Sequence, residues 1–339
     1  MSHSYIVFPG QGSQYPTMAK DWFDNFKEAQ LTFQEGSEGA KLDLKRLIFD
    51  GTDNDLKQTE VTQPAILTAS IAIFRSLTAQ LAPLPATPYL FAGHSLGEFS
   101  ALVAAGALSL LQATSFTRAR GIAMQEAVKP GVGRMAALIF KPGTDGAQFA
   151  QEICAEASKQ TGKTVQVANY NSREQVVISG YAEAVDVAAK LGQAGAQYNL
   201  RKAVPLAVSA PFHSDLMRPA ADKLRAQIKS LEVVAPQKAV TYIANVDAKP
   251  HVLSHPDTAT GVRERLFHQI YSPVQWLQST EFALGHGAQI AVEVGPGAVL
   301  TGLNKRIKKD GIEFRSCLNV DRLDQIREKL KSESGSLWS

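Results

Sequence analysis

The sequence predicts an α/β protein: a large domain built on a parallel sheet, with a small ferredoxin-like domain inserted into it. Three observations carry that expectation. Short apolar runs alternate with helix-favouring runs through the first part of the chain, the rhythm of a layered parallel sheet. From about Arg134 the order becomes strand, helix, strand, strand, helix, strand, which is the split-βαβ unit. Between an apolar run and a helical one stands Gly93-His94-Ser95-Leu96-Gly97, the context of a tight strand-to-helix turn.

Taken in order, a buried strand over 5–8 runs into the loop Pro9-Gly10-Gln11-Gly12-Ser13-Gln14. Helical patterns follow over 18–27 and 65–80, the second opened by Pro64 at a first-turn position where its missing N–H is harmless. A strand over 89–92 precedes the Ser95 turn, and a helix-favouring run over 98–108 follows it. Ser109-Leu110-Leu111-Gln112 has the form of a capping box and marks the next helix start. The inserted unit reads as strand 135–140, helix 147–159, strands 164–168 and 175–179, helix 182–191 and strand 197–200. The large domain resumes with a helix over 215–229 and strands over 240–243 and 289–294. The last strand ends at Gly295-Pro296-Gly297 and feeds a final helix. The expected division is therefore 1–133 with 204–325 as a discontinuous large domain, 134–203 as the insert, and 326–339 as a polar, frayed tail.

A chain of 339 residues can bury a large core, as one domain or two. Its 45% hydrophobic and 20% charged content places it among soluble globular proteins. A net charge of +3 is too small to argue for nucleic acid, and the basic run Lys305, Arg306, Lys308, Lys309 reads as a solvated helix face. Two cysteines, Cys154 and Cys317, lie far apart without metal-ligand spacing, so neither a disulfide framework nor a zinc site is suggested, and a reducing cytoplasm fits. No basic segment followed by an apolar one opens the chain, so no signal peptide is expected. The most apolar run, 101–111, is too short to span a bilayer.

In the Ser95 turn, Gly93 and Gly97 supply the room that a Gly-x-Ser-x-Gly nucleophile elbow needs. Ser95 would stand at a helix N-terminus, where unpaired backbone N–H groups can stabilise an oxyanion, giving the large domain an α/β-hydrolase-like character. A serine nucleophile needs a base, and there are seven histidines. His94 neighbours the serine but reads as a packing residue. His251 and His255 sit in a polar, Pro-containing loop, His268 and His286 in or beside helical patterns, and His3 is terminal. His213 stands in a loop just before a helix, where a side chain can reach a cleft. A triad would add a carboxylate between serine and histidine, yet no acid there is marked by a strand end. Either the carboxylate is hidden or a backbone carbonyl orients the base. Arg120 falls on the inward face defined by Leu110, Ala113, Thr117 and Met124, where a guanidinium must be paired. Its partner is either a structural Asp or Glu or a ligand carboxylate held by the guanidinium fork. Gln11 lies in a Gly-rich loop able to offer N–H donors, although no complete phosphate-loop pattern is present.

These residues, with Phe8-Pro9-Gly10-Gln11-Gly12-Ser13-Gln14, Arg120-Gly121, Asn169-Tyr170-Asn171-Ser172, Phe212-His213-Ser214, Tyr271-Ser272-Pro273-Val274-Gln275-Trp276 and Glu293-Val294-Gly295-Pro296-Gly297, occur in a specific order. From about residue 4 to residue 320 the chain resembles malonyl-CoA:acyl-carrier-protein transacylases. The resemblance implies that Ser95 is the acylated nucleophile and His213 its base. It implies that the N–H groups of Gln11 and Leu96 form the oxyanion hole and that Arg120 holds the malonyl carboxylate, with Gln63 nearby. Gln269 would orient the histidine through its main-chain carbonyl. Leu96 and Phe212 match malonyl-type sequences, whereas Arg134 and the tail beyond Arg322 match nothing obvious. Further implications are malonyl-CoA and an acyl carrier protein as partners, no cofactor beyond the coenzyme A and phosphopantetheine of the substrates, a monomer, no membrane, and a cytoplasmic setting. An ordinary histidine pKa of about 6.5 would make activity fall in acid. Two other readings stand beside this one: a patatin-like serine hydrolase using Asp145-Gly146-Ala147, and a carrier-binding module without turnover.

Overall fold

The structure is a computed structural model and describes residues 3–82, 84, 89–208, 210–236, 240–254 and 258–332. Its first sheet has the order β10-β9-β1-β2-β7-β8, built from β1 (His3–Phe8), β2 (Tyr89–Gly93), β7 (Thr241–Ile243), β8 (Pro250–Val252), β9 (Ala288–Val294) and β10 (Ser316–Val320). All neighbours in it pair in parallel except β7 and β8. The second sheet is antiparallel, with order β4-β5-β3-β6: β3 (Gly133–Phe140), β4 (Val165–Ser172), β5 (Gln175–Tyr181) and β6 (Leu200–Pro205). The α/β expectation holds, with a parallel core sheet and a separate antiparallel one.

Continuous apolar strands follow from burial on both faces. Along β1, Ile6 and Phe8 enter one core while Tyr5 and Val7 enter another. The first core lies under α1 (Lys20–Asn25), α2 (Lys27–Ala40), α3 (Leu44–Phe49), α4 (Asp53–Lys57), α5 (Thr59–Ser76), α6 (Gly97–Ala104) and α7 (Leu110–Glu126). The second joins β1 to the antiparallel sheet with α8 (Gly146–Thr161) and α9 (Ala182–Ala194). The remaining helices are α10 (Arg218–Lys229), α11 (Thr258–Gln269), α12 (Trp276–Gly285), α13 (Val299–Asn304) and α14 (Leu323–Ser332). The antiparallel sheet is also tied to the segment between α11 and α12: Tyr170 N–H donates to the Val274 carbonyl and Val274 N–H to that of Ala168, each at 2.9 Å.

Several sequence expectations need correction. Of the 18–27 pattern only Lys20–Asn25 forms a helix; Phe26 turns extended (φ −132°, ψ 131°), and α2 starts beyond it at Lys27. Pro64 does not open its helix, which begins at Thr59. Pro64 lies buried within the helix, where it cannot donate to the Glu60 carbonyl one turn earlier. The helix after Ser95 stops at Ala104, short of 108. Gly106, at φ +77°, ends it with Ala107 N–H on the Leu102 carbonyl and Gly106 N–H on that of Val103, a Schellman closure. Ser109 caps α7, but Gln112 spends its side chain on Glu232, so only half of the capping box forms. The strand expected at 197–200 starts at Leu200, after a 3-10 turn closed by left-handed Asn199. One helical stretch, Thr59–Leu81, is long and apolar enough to cross a membrane (23 residues, mean hydropathy 1.2), yet 72% of its apolar 18-residue window is buried inside the protein. The basic run follows α13 in a turn instead of lying on a helix face. Residues 326–332 are helical, with Leu323 and Ile326 buried; residues 333–339 of the expected tail lie outside the described residues.

Candidate active site

The carboxyl ends of β1, β2, β7 and β9 converge, the place where open parallel sheets hold their ligands. Ser95 follows β2 in a left-handed conformation (φ +52°), strained for a residue with a Cβ by about 1–2 kcal/mol. Glycine is required on either side, because a Cβ at Gly93 would overlap Gly97, and one at Gly97 would overlap the Phe8 carbonyl. The strained turn is held by Asn245, two residues past β7. Its Oδ1 accepts from Ser95 N–H at 2.7 Å and its Nδ2 donates to the Gly93 carbonyl at 2.6 Å. No sequence motif marked Asn245. Its position at the end of the strand beside the elbow strand was the available signal.

His213, also left-handed at φ +57°, places Nε2 2.7 Å from Ser95 Oγ. Its Nδ1 faces the carbonyls of Gln269 at 2.9 Å and Ser272 at 3.2 Å. Carbonyls only accept, so the proton belongs on Nδ1, and Nε2 presents its lone pair to the serine hydroxyl. The expected choice between a hidden carboxylate and a backbone carbonyl thus resolves geometrically to the carbonyl. Burial pushes the His213 pKa down to about 3, assisted by the Arg120 charge and His94, while the two carbonyls work the other way. The ordinary value taken from sequence does not apply, because imidazolium formation here costs desolvation beside a cation.

Arg120 is 1% exposed. Its Nη1 donates to Gln63 Oε1 at 2.8 Å, and its Nη2 to Gln269 Oε1 at 3.0 Å and to Ser95 Oγ at 3.4 Å. Among the described residues no carboxylate comes within 4 Å of it, so the structural ion-pair partner left open by the sequence is not there. Burial lowers its pKa to about 10, which leaves it charged. Gln269 is the hub: its carbonyl holds His213, its side-chain oxygen holds Arg120, and its Nε2 donates to the Ser95 carbonyl and to Glu98, both at 2.8 Å. Gln11, Gln63, Ser95, Arg120 and His213 line one cavity of about 250 Å³, walled by Met124, Met135 and Phe212. Buried Leu96 follows the serine. Among the described residues neither the Gln11 nor the Leu96 N–H has a protein acceptor.

The other histidines are elsewhere engaged. His94 Nε2 bonds Asn171 Oδ1 at 2.9 Å, on the cavity wall. His251 lies on β8, not in a loop, and faces Asp247; His268 bonds the Tyr271 hydroxyl; His286 stacks on Phe282. His255 is outside the described residues, and of His3 only the backbone is described. Asp145 caps α8 and faces Arg173, which removes it from any dyad with Ser95.

The acyl transferase domain family matches residues 5–325 of the chain. The "Malonyl CoA-acyl carrier protein transacylase" of Salmonella typhimurium is 43% identical over 307 residues, covering 91% of this chain and 93% of that protein. The solved acyl carrier protein S-malonyltransferase of Vibrio cholerae superposes with a TM-score of 0.84 at 40% identity, covering 97% of this chain and 100% of that one. A type II PKS acyl-carrier protein in complex with its malonyl-transacylase gives 0.86 at 38% identity, covering 98% and 100%.

Proposed function

The chain belongs to the acyl transferase domain family, and on that premise we propose that it moves a malonyl group from malonyl-CoA to the phosphopantetheine thiol of an acyl carrier protein, in fatty-acid or polyketide synthesis. The observation that carries this reading is a serine–histidine pair 2.7 Å apart, with a buried, carboxylate-free arginine donating to the same serine oxygen. A nucleophile beside an unpaired cation suits an acyl group that bears its own carboxylate.

In the first half-reaction His213 Nε2 takes the Ser95 hydroxyl proton as Oγ attacks the thioester carbon. The oxyanion forms against the free N–H groups of Gln11 and Leu96. Arg120, aligned by Gln63 and Gln269, receives the malonyl carboxylate in its fork. Collapse breaks the carbon–sulfur bond, and coenzyme A leaves with the proton returned by His213. The carrier thiol then repeats the sequence on malonyl-Ser95 in reverse. A base with so low a pKa holds its proton only briefly, which suits a thiolate leaving group that needs little help. Residues 134–203 form the small domain that supplies the Asn171 side of the cavity, and 1–133 with 204–325 form the large one. Coenzyme A and phosphopantetheine are substrates, so no separate cofactor takes part. The enzyme acts as a cytoplasmic monomer. The supporting experiment is intact-mass analysis after mixing with malonyl-CoA: a malonyl increment on Ser95, discharged by carrier protein and absent from Ser95→Ala, is expected. No increment, or discharge by water as fast as by carrier protein, overturns the reading in favour of a hydrolase.

A further inference from the structure

Glu98 stands in the first turn of α6, three residues past the nucleophile, and is 1% exposed. The chemistry above gives it no role. Its Oε2 accepts from Gln269 Nε2 at 2.8 Å and from Asn245 N–H at 3.2 Å, while its Oε1 has no partner among the described residues. Arg120 shows the complementary pattern: both Nη atoms are bonded, and Nε has no partner. The two do not form an ion pair. A single neutral amide separates them, with Gln269 accepting from Arg120 on its oxygen and donating to Glu98 from its nitrogen.

Other ionisable groups face Glu98. Asp247, on the loop after β7, opposes its charge and is itself held by Arg265 of α11 and His251 of β8. Tyr242 of β7 is buried and stays a neutral phenol. The N-terminus of α6 favours the anion. Burial wins, and the Glu98 carboxyl is pushed up to about 7.

The charge count of this pocket changes when the substrate enters. With Glu98 ionised, the empty pocket holds one buried cation and one buried anion. A malonyl carboxylate in the Arg120 fork adds a second anion, and an uncompensated buried charge is strongly unfavourable. Arg120 stays charged near pH 8 and holds the incoming carboxylate, so Glu98 is the group free to respond. We propose that Glu98 is the counter-charge of the empty Arg120 clamp and takes up one proton from solvent as the malonyl carboxylate binds. The proton adds to the unpartnered Oε1, no other bond forms or breaks, and Oε2 keeps both of its N–H donors. The proton is released when the malonyl group departs. An acetyl group brings no charge and draws no proton, so the uptake belongs to carboxylated acyl groups alone.

This inference rests on the malonyl-transfer reading, and the two fail separately. Absence of a malonyl adduct on Ser95 of the wild type would remove the reading itself. The inference is tested on Ser95→Ala protein, which can bind malonyl-CoA without reacting. Calorimetric titration at about pH 8 in two buffers of different ionisation enthalpy counts protons. Acetyl-CoA serves as the control, because the titrating groups of coenzyme A are common to both ligands. The expected result is a count approaching one proton per malonyl-CoA and none per acetyl-CoA. The malonyl-CoA Kd should weaken by up to about tenfold per pH unit above about pH 8. Adding Glu98→Gln should abolish both the proton and the pH slope. Equal counts for the two ligands, or a malonyl count that survives Glu98→Gln, overturns the proposal. If the double variant does not fold, the malonyl–acetyl comparison on Ser95→Ala decides alone.

Discussion

Arg120 is surrounded by amide oxygens and a hydroxyl, partners that orient a guanidinium without neutralising it. Arg120→Ala should therefore lower kcat/KM for malonyl-CoA on the order of 100-fold, the ~3 kcal/mol of a strong charge-assisted contact. Acetyl-CoA should lose little, so the ratio of the two specificity constants is the measurement; an unchanged ratio removes Arg120 from the clamp. His213 makes a second residue-scale prediction. A histidine whose pKa is lowered to about 3 is neutral, and competent as a base, throughout the range where an ordinary imidazole becomes protonated. The first-order rate of Ser95 acylation at saturating donor should stay flat from about pH 8 to about pH 5 and fall only below that. A drop centred near pH 6.5 in stopped-flow acylation would show an ordinary histidine instead.

At the scale of elements, the strand–turn–helix around Ser95 was legible because its chemistry is local: two glycines, a serine, an apolar run before and a helix after. Ser95, His213 and Arg120, which the structure brings together, stand out for the same reason, each marked by a turn or a helix face. What supports them was not legible. Asn245 meets the elbow across 150 residues of chain and Gln269 meets Glu98 across 171, through contacts that no periodicity announces. Edge strands β8 and β10 were missed because three to five residues with mixed burial leave no alternation to read. Asn245→Ala would leave the Ser95 N–H and the Gly93 carbonyl unpaired in a buried place. We expect a loss of about 2–3 kcal/mol in urea unfolding and slower acylation of Ser95. Asn245→Asp keeps the acceptor for Ser95 but turns an oxygen toward the Gly93 carbonyl, so it should rescue only partly.

For the whole molecule, the surface near the cavity mouth sets how a protein acceptor approaches. Val299, Leu300 and Leu303 of α13 line the cavity, and the same helix leads into exposed Lys305 and Arg306. Lys305→Glu with Arg306→Glu should lower kcat/KM for an acidic carrier protein by roughly tenfold, an effect that shrinks with added salt. Self-acylation from malonyl-CoA should be unchanged, and equal losses in both half-reactions would place the defect elsewhere. The sheet order has a consequence of another kind. Strand β1 lies between β2, whose paired residues come 85 positions later in the chain (Ser4 with Tyr89), and β9, which begins only at Ala288. At about 5–20 residues per second of synthesis, one edge of β1 waits roughly a quarter of a minute to a minute for its partner. Over that interval the antiparallel sheet, whose strands all fall within 133–205, can already close on itself. On the ribosome, then, the nascent chain carries an uncovered apolar strand beside a finished smaller sheet, and the active site assembles only near the end of translation.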